Sequence, residues 1–196
     1  MSMKASNPTT TTDLLAQDRE VLLSMAYDAI GYHLANGRPS QIDVSRYSPA
    51  LQQVRATFVT LEIQEKLRGC IGTLEAVRPL VADVAHNACS AAFHDPRFPP
   101  LRIDEHMVVS IHISILSPAE PMSFTGEADL LQQIVPGVDG LILQDGPNRG
   151  TFLPSVWEHV PDKDQFLAHL KQKAGLAADY WSDSIKVSRY RTESVS

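Results

Sequence analysis

Apolar residues recur at helical spacing in three segments of the chain. The first runs from about Leu14 to Leu34, the second from Leu80 to Phe93, and the third from Asp162 to Lys173. Spacings of three and four residues place such side chains on one face of an α-helix. We therefore predict three helices, the first of them capped by Asp13 and ended by Asn36-Gly37.

Alternation of apolar and polar residues, typical of half-buried strands, predicts strands in other segments. Residues 57–63 and 67–73 predict an antiparallel hairpin, and residues 108–116 a third strand. The apolar runs 141–143 and 151–153 flank a turn-forming segment and predict a second hairpin with a longer loop. The last predicted strand contains Ile185, Val187 and Tyr190. This order of elements indicates an α+β fold with mainly antiparallel sheets and packed helices.

The register of the first hairpin decides which side chains share a face. We predict that Thr60 lies opposite Cys70 and that Glu62 lies opposite Arg68, so that these four residues share one face. The apolar residues of both strands then share the other face, beneath the second helix. A slip of one residue would exchange the two faces, so the assignment of both faces depends on this register.

Composition excludes several classes of protein. The chain has 196 residues, 43% hydrophobic and 20% charged, as expected for a soluble globular protein. Its net charge of −6 argues against a general nucleic-acid or acidic-membrane surface. No apolar run approaches the roughly 20 residues of a membrane span. Residues 1–12 are predicted to form a disordered tail without a secretory signal, and two cysteines fit a cytoplasmic setting.

The segment Leu67–Thr73 (LRGCIGT) is the strongest candidate site. Glycines on both sides remove side-chain bulk around Cys70, and Arg68 lies two positions away, on the same face of a strand. A positive charge there favours the thiolate, which attacks electrophiles. Alternatively, the cysteine is a small apolar residue in a buried strand.

Three other groups of polar residues suggest chemistry. His112 on the third strand could join Cys70 as a Cys–His pair. Arg97, in the segment DPRFPP, either ties a rigid loop to Asp95 or contacts an anion or a partner. The trio His86, Cys89 and His94 is too spread along its helix to complete a zinc site, so we predict no metal site.

Five blocks follow one another along the chain: LRGCIGT, NACSAAFHDPRFPPL, ISILSPAEPM, PGVDGLIL and TFLPSVW. In this order they resemble the AMMECR-type domain family, which includes the A component of AmmeMemoRadiSam systems. The resemblance runs from about Leu14 to Tyr190 and implies two interleaved α+β subdomains in residues 13–196. One contains about 13–54 with 119–196, and the other about 55–118. Ser155 stands where relatives usually have glutamine, and Lys171 where they often have cysteine.

The family has no established activity, so the resemblance implies a role rather than a reaction. It implies a substrate- or partner-binding subunit of a modification pathway linked to Memo-like and radical SAM proteins, which uses a cleft around LRGCIGT. The alternative is a cysteine-dependent enzyme, with Cys70 as nucleophile and Arg68 favouring its thiolate. A structural scaffold is a third possibility. The candidate binding residues are Arg68, Gly69, Gly72, Thr73, Thr60, Glu62 and Arg97.

Sequence motifs also limit the cofactors. The chain has no CxxxCxxC motif for the cluster of a radical SAM enzyme, and no GxGxxG or Walker motif for a nucleotide. We therefore predict no cofactor. The expected partner is a small molecule or a protein, with neither nucleic acid nor a membrane involved.

Overall fold

The computed structural model describes residues 14–196, which form six helices and eight strands. The helices are α1 (Ala16–Asn36), α2 (Pro49–Gln52), α3 (Leu80–Phe93), α4 (Ile103–His106), α5 (Glu127–Gln133) and α6 (Lys163–Lys173). The strands are β1 (Thr57–Ile63), β2 (Lys66–Gly72), β3 (Ser110–Leu116), β4 (Glu120–Pro121), β5 (Gly140–Asp145), β6 (Asn148–Phe152), β7 (Lys186–Tyr190) and β8 (Thr192–Val195). Two 3₁₀ turns lie at Val44–Arg46 and Pro154–Glu158.

The three predicted helices correspond to α1, α3 and α6. Gly37 ends α1 in the left-handed conformation, with φ of 68°, as glycine allows. At the other end of α1 the Leu15 amide donates to the Asp18 carboxylate. The predicted cap, Asp13, lies outside the described residues. Asp162 caps α6 by accepting from the Gln165 amide.

The strands form two four-stranded antiparallel sheets, which confirms the α+β class. Their orders are β2-β1-β3-β8 and β4-β7-β5-β6.

Internal contacts divide the described chain into two units, residues 14–113 with 195–196, and residues 114–194. This division differs from the predicted subdomains, about 13–54 with 119–196 and about 55–118, which stay a prediction. Residues 1–12, the predicted tail, lie outside the described residues. No helix within residues 14–196 is long and apolar enough to cross a membrane.

The first hairpin confirms half of the predicted register. Thr60 pairs with Cys70, as predicted. Glu62 instead pairs with Leu67, because a β-bulge between Leu61 and Glu62 leaves Arg68 as the extra residue of β2. The predicted Glu62–Arg68 pair is therefore wrong.

The core of the first unit lies between the hairpin and the long helices. Val59 and Leu61 are fully buried on the face of β1 that α3 covers, opposite the face that carries Cys70. On its other side α3 packs against α1, where Ala29, Ala85 and Cys89 form a small buried cluster. Cys89 thus lies at the contact between two helices.

The core of the second unit surrounds α6. The third predicted helix buries its apolar residues Phe166, Leu167 and Leu170 completely. The ring of Phe166 stacks on Trp157 with centroids 3.6 Å apart. The second hairpin is tighter than predicted, since Asp145 pairs with Asn148 across a two-residue turn in which Gly146 has φ of 56°.

Candidate functional site

The loop after α3 is bound to the outer edge of β2 at Cys70. The Cys70 amide donates to the Asp95 carboxylate over 2.8 Å, and the Arg97 guanidinium donates to the Cys70 carbonyl over 3.3 Å. Because β2 is an edge strand, these groups would otherwise be unpaired. Asp95 and Arg97 therefore hold the backbone of Cys70 as a neighbouring strand would.

Asp95 and Arg97 also form an ion pair with each other. Two guanidinium nitrogens of Arg97 donate to Asp95 over 2.7 and 3.0 Å, and the Arg97 amide donates over 3.1 Å. The hydrogen bond from Arg97, and after it those from the two amides, hold the pKa of Asp95 well below its ordinary value. These contacts agree with the structural role that the sequence indicated for DPRFPP, in which Asp95 and Arg97 fix the conformation of the loop.

Arg68 points to the same loop and is paired with Glu105. Its Nε and Nη2 donate to the two carboxylate oxygens over 2.7 and 2.9 Å, and Nη2 also donates to the carbonyl of Pro99 over 3.0 Å. This bidentate pair lowers the pKa of Glu105. The guanidinium lies 5.9 Å from the Phe98 ring, which Arg97 also contacts at 5.5 Å. The charge of Arg68 is therefore compensated by a carboxylate that the sequence analysis did not identify.

Four polar side chains form what we term the thiol face of the first sheet: Thr60, Glu62, Cys70 and His112. The Thr60 hydroxyl donates to Cys70 Sγ over 3.3 Å. The Glu62 carboxylate lies 3.4 Å from Nε2 of His112, and both side chains are partly exposed. Cys70 is half-buried. The face thus presents a thiol, a hydroxyl, a carboxylate and an imidazole on neighbouring strands.

The two glycines beside Cys70 serve packing. A Cβ added to Gly69 would lie 2.2 Å from the backbone oxygen of Ala91 in α3, and one added to Gly72 would lie 2.3 Å from the ring of Phe58. The space that we expected to admit a ligand is filled by a helix at Gly69 and by an aromatic ring at Gly72. Thr73 follows β2, and its amide donates to the Thr57 carbonyl over 3.1 Å.

The second cysteine lies in a different environment. Burial raises the pKa of the Cys89 thiol to about 11, and the thiol donates to the Ala29 carbonyl over 3.4 Å. Among the described residues, no group of three or more His, Cys, Asp or Glu side chains is arranged to hold a metal ion.

The AMMECR1 family model matches residues 23–195, nearly the whole described chain. The chain belongs to the AMMECR1 family. A member from Methanothermobacter thermautotrophicus is 36% identical over 182 residues, which cover 92% of this chain and 94% of that protein. Protein MJ0810 of Methanocaldococcus jannaschii is 37% identical over 157 residues, 78% of each chain.

A solved structure shares the fold as well as the sequence. The crystal structure of the uncharacterized protein PH0010 from Pyrococcus horikoshii superposes with a TM-score of 0.81 at 33% identity, and the match covers 89% of each chain. The likeness to this structure supports the fold, while the names of these relatives assign no activity.

Proposed function

We propose that this AMMECR1-family protein is a binding subunit of a modification pathway linked to Memo-like and radical SAM proteins. We propose further that it contacts its protein partner or substrate through the thiol face and the adjoining Arg97. The pathway rests on the family resemblance alone. The contact surface rests on one observation, the anchoring of the Cys70 backbone by Asp95 and Arg97 while its side chain stays half-buried beside partly exposed polar groups.

The charges around Cys70 favour binding over catalysis. Both nearby guanidinium groups are already paired, Arg68 with Glu105 and Arg97 with Asp95. A guanidinium bound to a carboxylate stabilises a thiolate less than an unpaired one does, because the two charges largely cancel at a distance. Arg97 remains 54% exposed at its side chain and can still donate to a partner's carbonyl or carboxylate. A rigid surface of mixed polar groups suits recognition.

Titration calorimetry with purified Memo-like and radical SAM proteins of the same organism tests this proposal. We expect at least one of them to bind, and we expect Glu62→Ala and His112→Ala each to raise its Kd about tenfold, or about 1.4 kcal/mol. The control is Arg102→Ala, which removes an exposed cation outside the thiol face whose guanidinium pairs with exposed Asp104. If neither protein binds, the pathway is wrong. If both variants bind like the parent, the thiol face is not the contact surface.

A cysteine-dependent enzyme remains the second candidate, favoured by the hydrogen bond from Thr60 to Cys70 Sγ. Cys70 is half-buried, whereas Cys89 is buried and burial raises its thiol pKa to about 11, so we expect iodoacetamide to alkylate Cys70 at least about tenfold faster than Cys89 near neutral pH. Thr60→Val removes that donor without a change of shape and should slow the reaction of Cys70. Peptide mass spectrometry over a pH series measures both rates. Faster labelling of Cys89, or an inert Cys70, would exclude the enzyme.

A further inference from the structure

A cavity in the first unit lies away from the thiol face, between α3 and residues 39–42. Its volume is about 240 Å³. The lining residues are Pro39, Ser40, Ile42, Arg78, Ala82, Ala85, His86 and Cys89. Ala85 and Cys89 are buried, whereas His86 is exposed and Arg78 half-buried. The cavity therefore has an apolar base formed by small side chains of α3, with a guanidinium and an imidazole near its opening.

The guanidinium of Arg78 is held in place by a buried carboxylate. Nη1 donates to Asp83 over 3.0 Å, and Asp83 is fully buried. The amide and hydroxyl of Thr57 donate to the same carboxylate over 3.0 and 2.7 Å, and the Asn87 amide nitrogen over 2.9 Å. Within residues 14–196, the bond to Asp83 is the only hydrogen bond from the Arg78 side chain. Its other N–H groups are thus available to a ligand, in a fixed orientation.

The imidazole of His86 lies near two basic side chains, Arg78 and His94. Neighbouring atoms remove part of the hydration of this exposed ring, which lowers its pKa, and the positive charges of Arg78 and His94 lower it further, against the opposing effect of Asp83. The ring therefore protonates less readily than a free imidazole. An anion bound between His86 and Arg78 would offset the positive charges and raise the pKa of His86 again.

We propose that this cavity binds a short-chain carboxylate, with its carboxyl group at Arg78 and His86 and its alkyl chain against Ile42, Ala85 and Cys89. The guanidinium edge matches a carboxylate in shape and charge. The apolar base gives an alkyl chain a place out of water, and the volume, below that of a site for a drug-sized ligand, limits the chain to a few carbons. Because none of the lining residues belongs to the thiol face, this site is independent of the proposed function.

NMR titration of the full chain with sodium pentanoate tests the site. We expect saturable binding, at least tenfold tighter than that of 1-pentanol, which has the same chain without the charge. We also expect the pKa of His86 to be higher with pentanoate than without it, whereas 1-pentanol leaves it unchanged. His86→Gln identifies the resonance of that ring. Equal binding of both compounds with no change at His86, or an absence of saturable binding, overturns the proposal.

Two alanine variants locate the binding. Ala82→Leu fills the cavity from its half-buried wall without a change of charge, and we expect it to weaken pentanoate binding at least tenfold. Ala128→Leu adds the same side chain at an exposed position on α5 and should leave binding unchanged. Thermal melts establish that both variants are folded. If Ala82→Leu melts like the parent and binds pentanoate equally well, the ligand binds elsewhere and the proposal is wrong.

Discussion

Gly69→Ala is expected to lower the free energy of unfolding by about 3 kcal/mol, although it adds a single methyl group. The new Cβ would lie 2.2 Å from the backbone oxygen of Ala91 and 3.1 Å from the carbonyl carbon of the same residue. A flexible side chain could move away at small cost, but here α3 itself must shift from the hairpin. In a chain of this length such a loss lowers Tm by roughly 6–12 °C, which thermal melts followed by circular dichroism measure.

Gly126→Ala is the matched control for that substitution. Nothing lies within 4 Å of a Cβ at Gly126, and its φ of 169° is extended backbone that alanine also adopts. We expect it to cost less than about 1 kcal/mol, since Gly126 precedes α5 as its cap. Equal melting of the two variants would mean that α3 adapts to the added methyl group, and the packing role assigned to Gly69 would be wrong.

The long elements were predictable from the sequence because each buries a regular apolar pattern. The helix α3 matches the predicted Leu80–Phe93 in full, and the pairing of Thr60 with Cys70 follows from the alternation in β1. A slip of one residue would have exposed Val59 and Leu61, which are fully buried. Burial of an entire face thus determined the register of that part of the hairpin.

Short and irregular elements gave no such signal. The helix α5 has seven residues, less than two full turns, and β4 has only two, so both are too short for a recognisable apolar pattern. The strand β8 is polar for most of its length, so it shows no apolar alternation. The bulge opposite Leu61 and Glu62 adds one residue to β2, and the alternation in β1 does not indicate it. Such features depend on pairing with distant segments, which a local pattern does not contain.

The polar contacts of the candidate site were the least predictable. The sequence contains Asp95 and Arg97 as near neighbours, but their bonds to Cys70 span 25 and 27 residues. Glu105 lies 37 residues from Arg68 and is one acidic residue among many. Lys171 was expected only as a replacement for a cysteine, yet its side chain is 1% exposed and its ammonium group pairs with Glu127. Only tertiary structure selects such partners.

A buried carboxylate of the first unit gives the other large expected effect. Asp83→Ala should lower the free energy of unfolding by about 3–5 kcal/mol. The substitution removes the acceptor of both Thr57 hydrogen bonds and of one from Asn87, and it leaves the charge of Arg78 unpaired. Buried donors without an acceptor lose their hydration and gain nothing in return. Urea unfolding, with the slope checked against that of the parent, measures the loss.

Asp104→Ala tests whether this loss comes from burial rather than from the removal of an ion pair as such. Asp104 pairs with Arg102 over 3.0 Å, the same distance as in the Asp83–Arg78 pair, but the two side chains are 62% and 75% exposed. Water replaces an exposed partner at little cost, so we expect a loss below about 1 kcal/mol. Asp83→Asn should fall between the two, because the amide oxygen still accepts while the charge is lost. Equal losses for Asp83→Ala and Asp104→Ala would show that the buried network adds no stability of its own, and that Arg78 is oriented by other contacts.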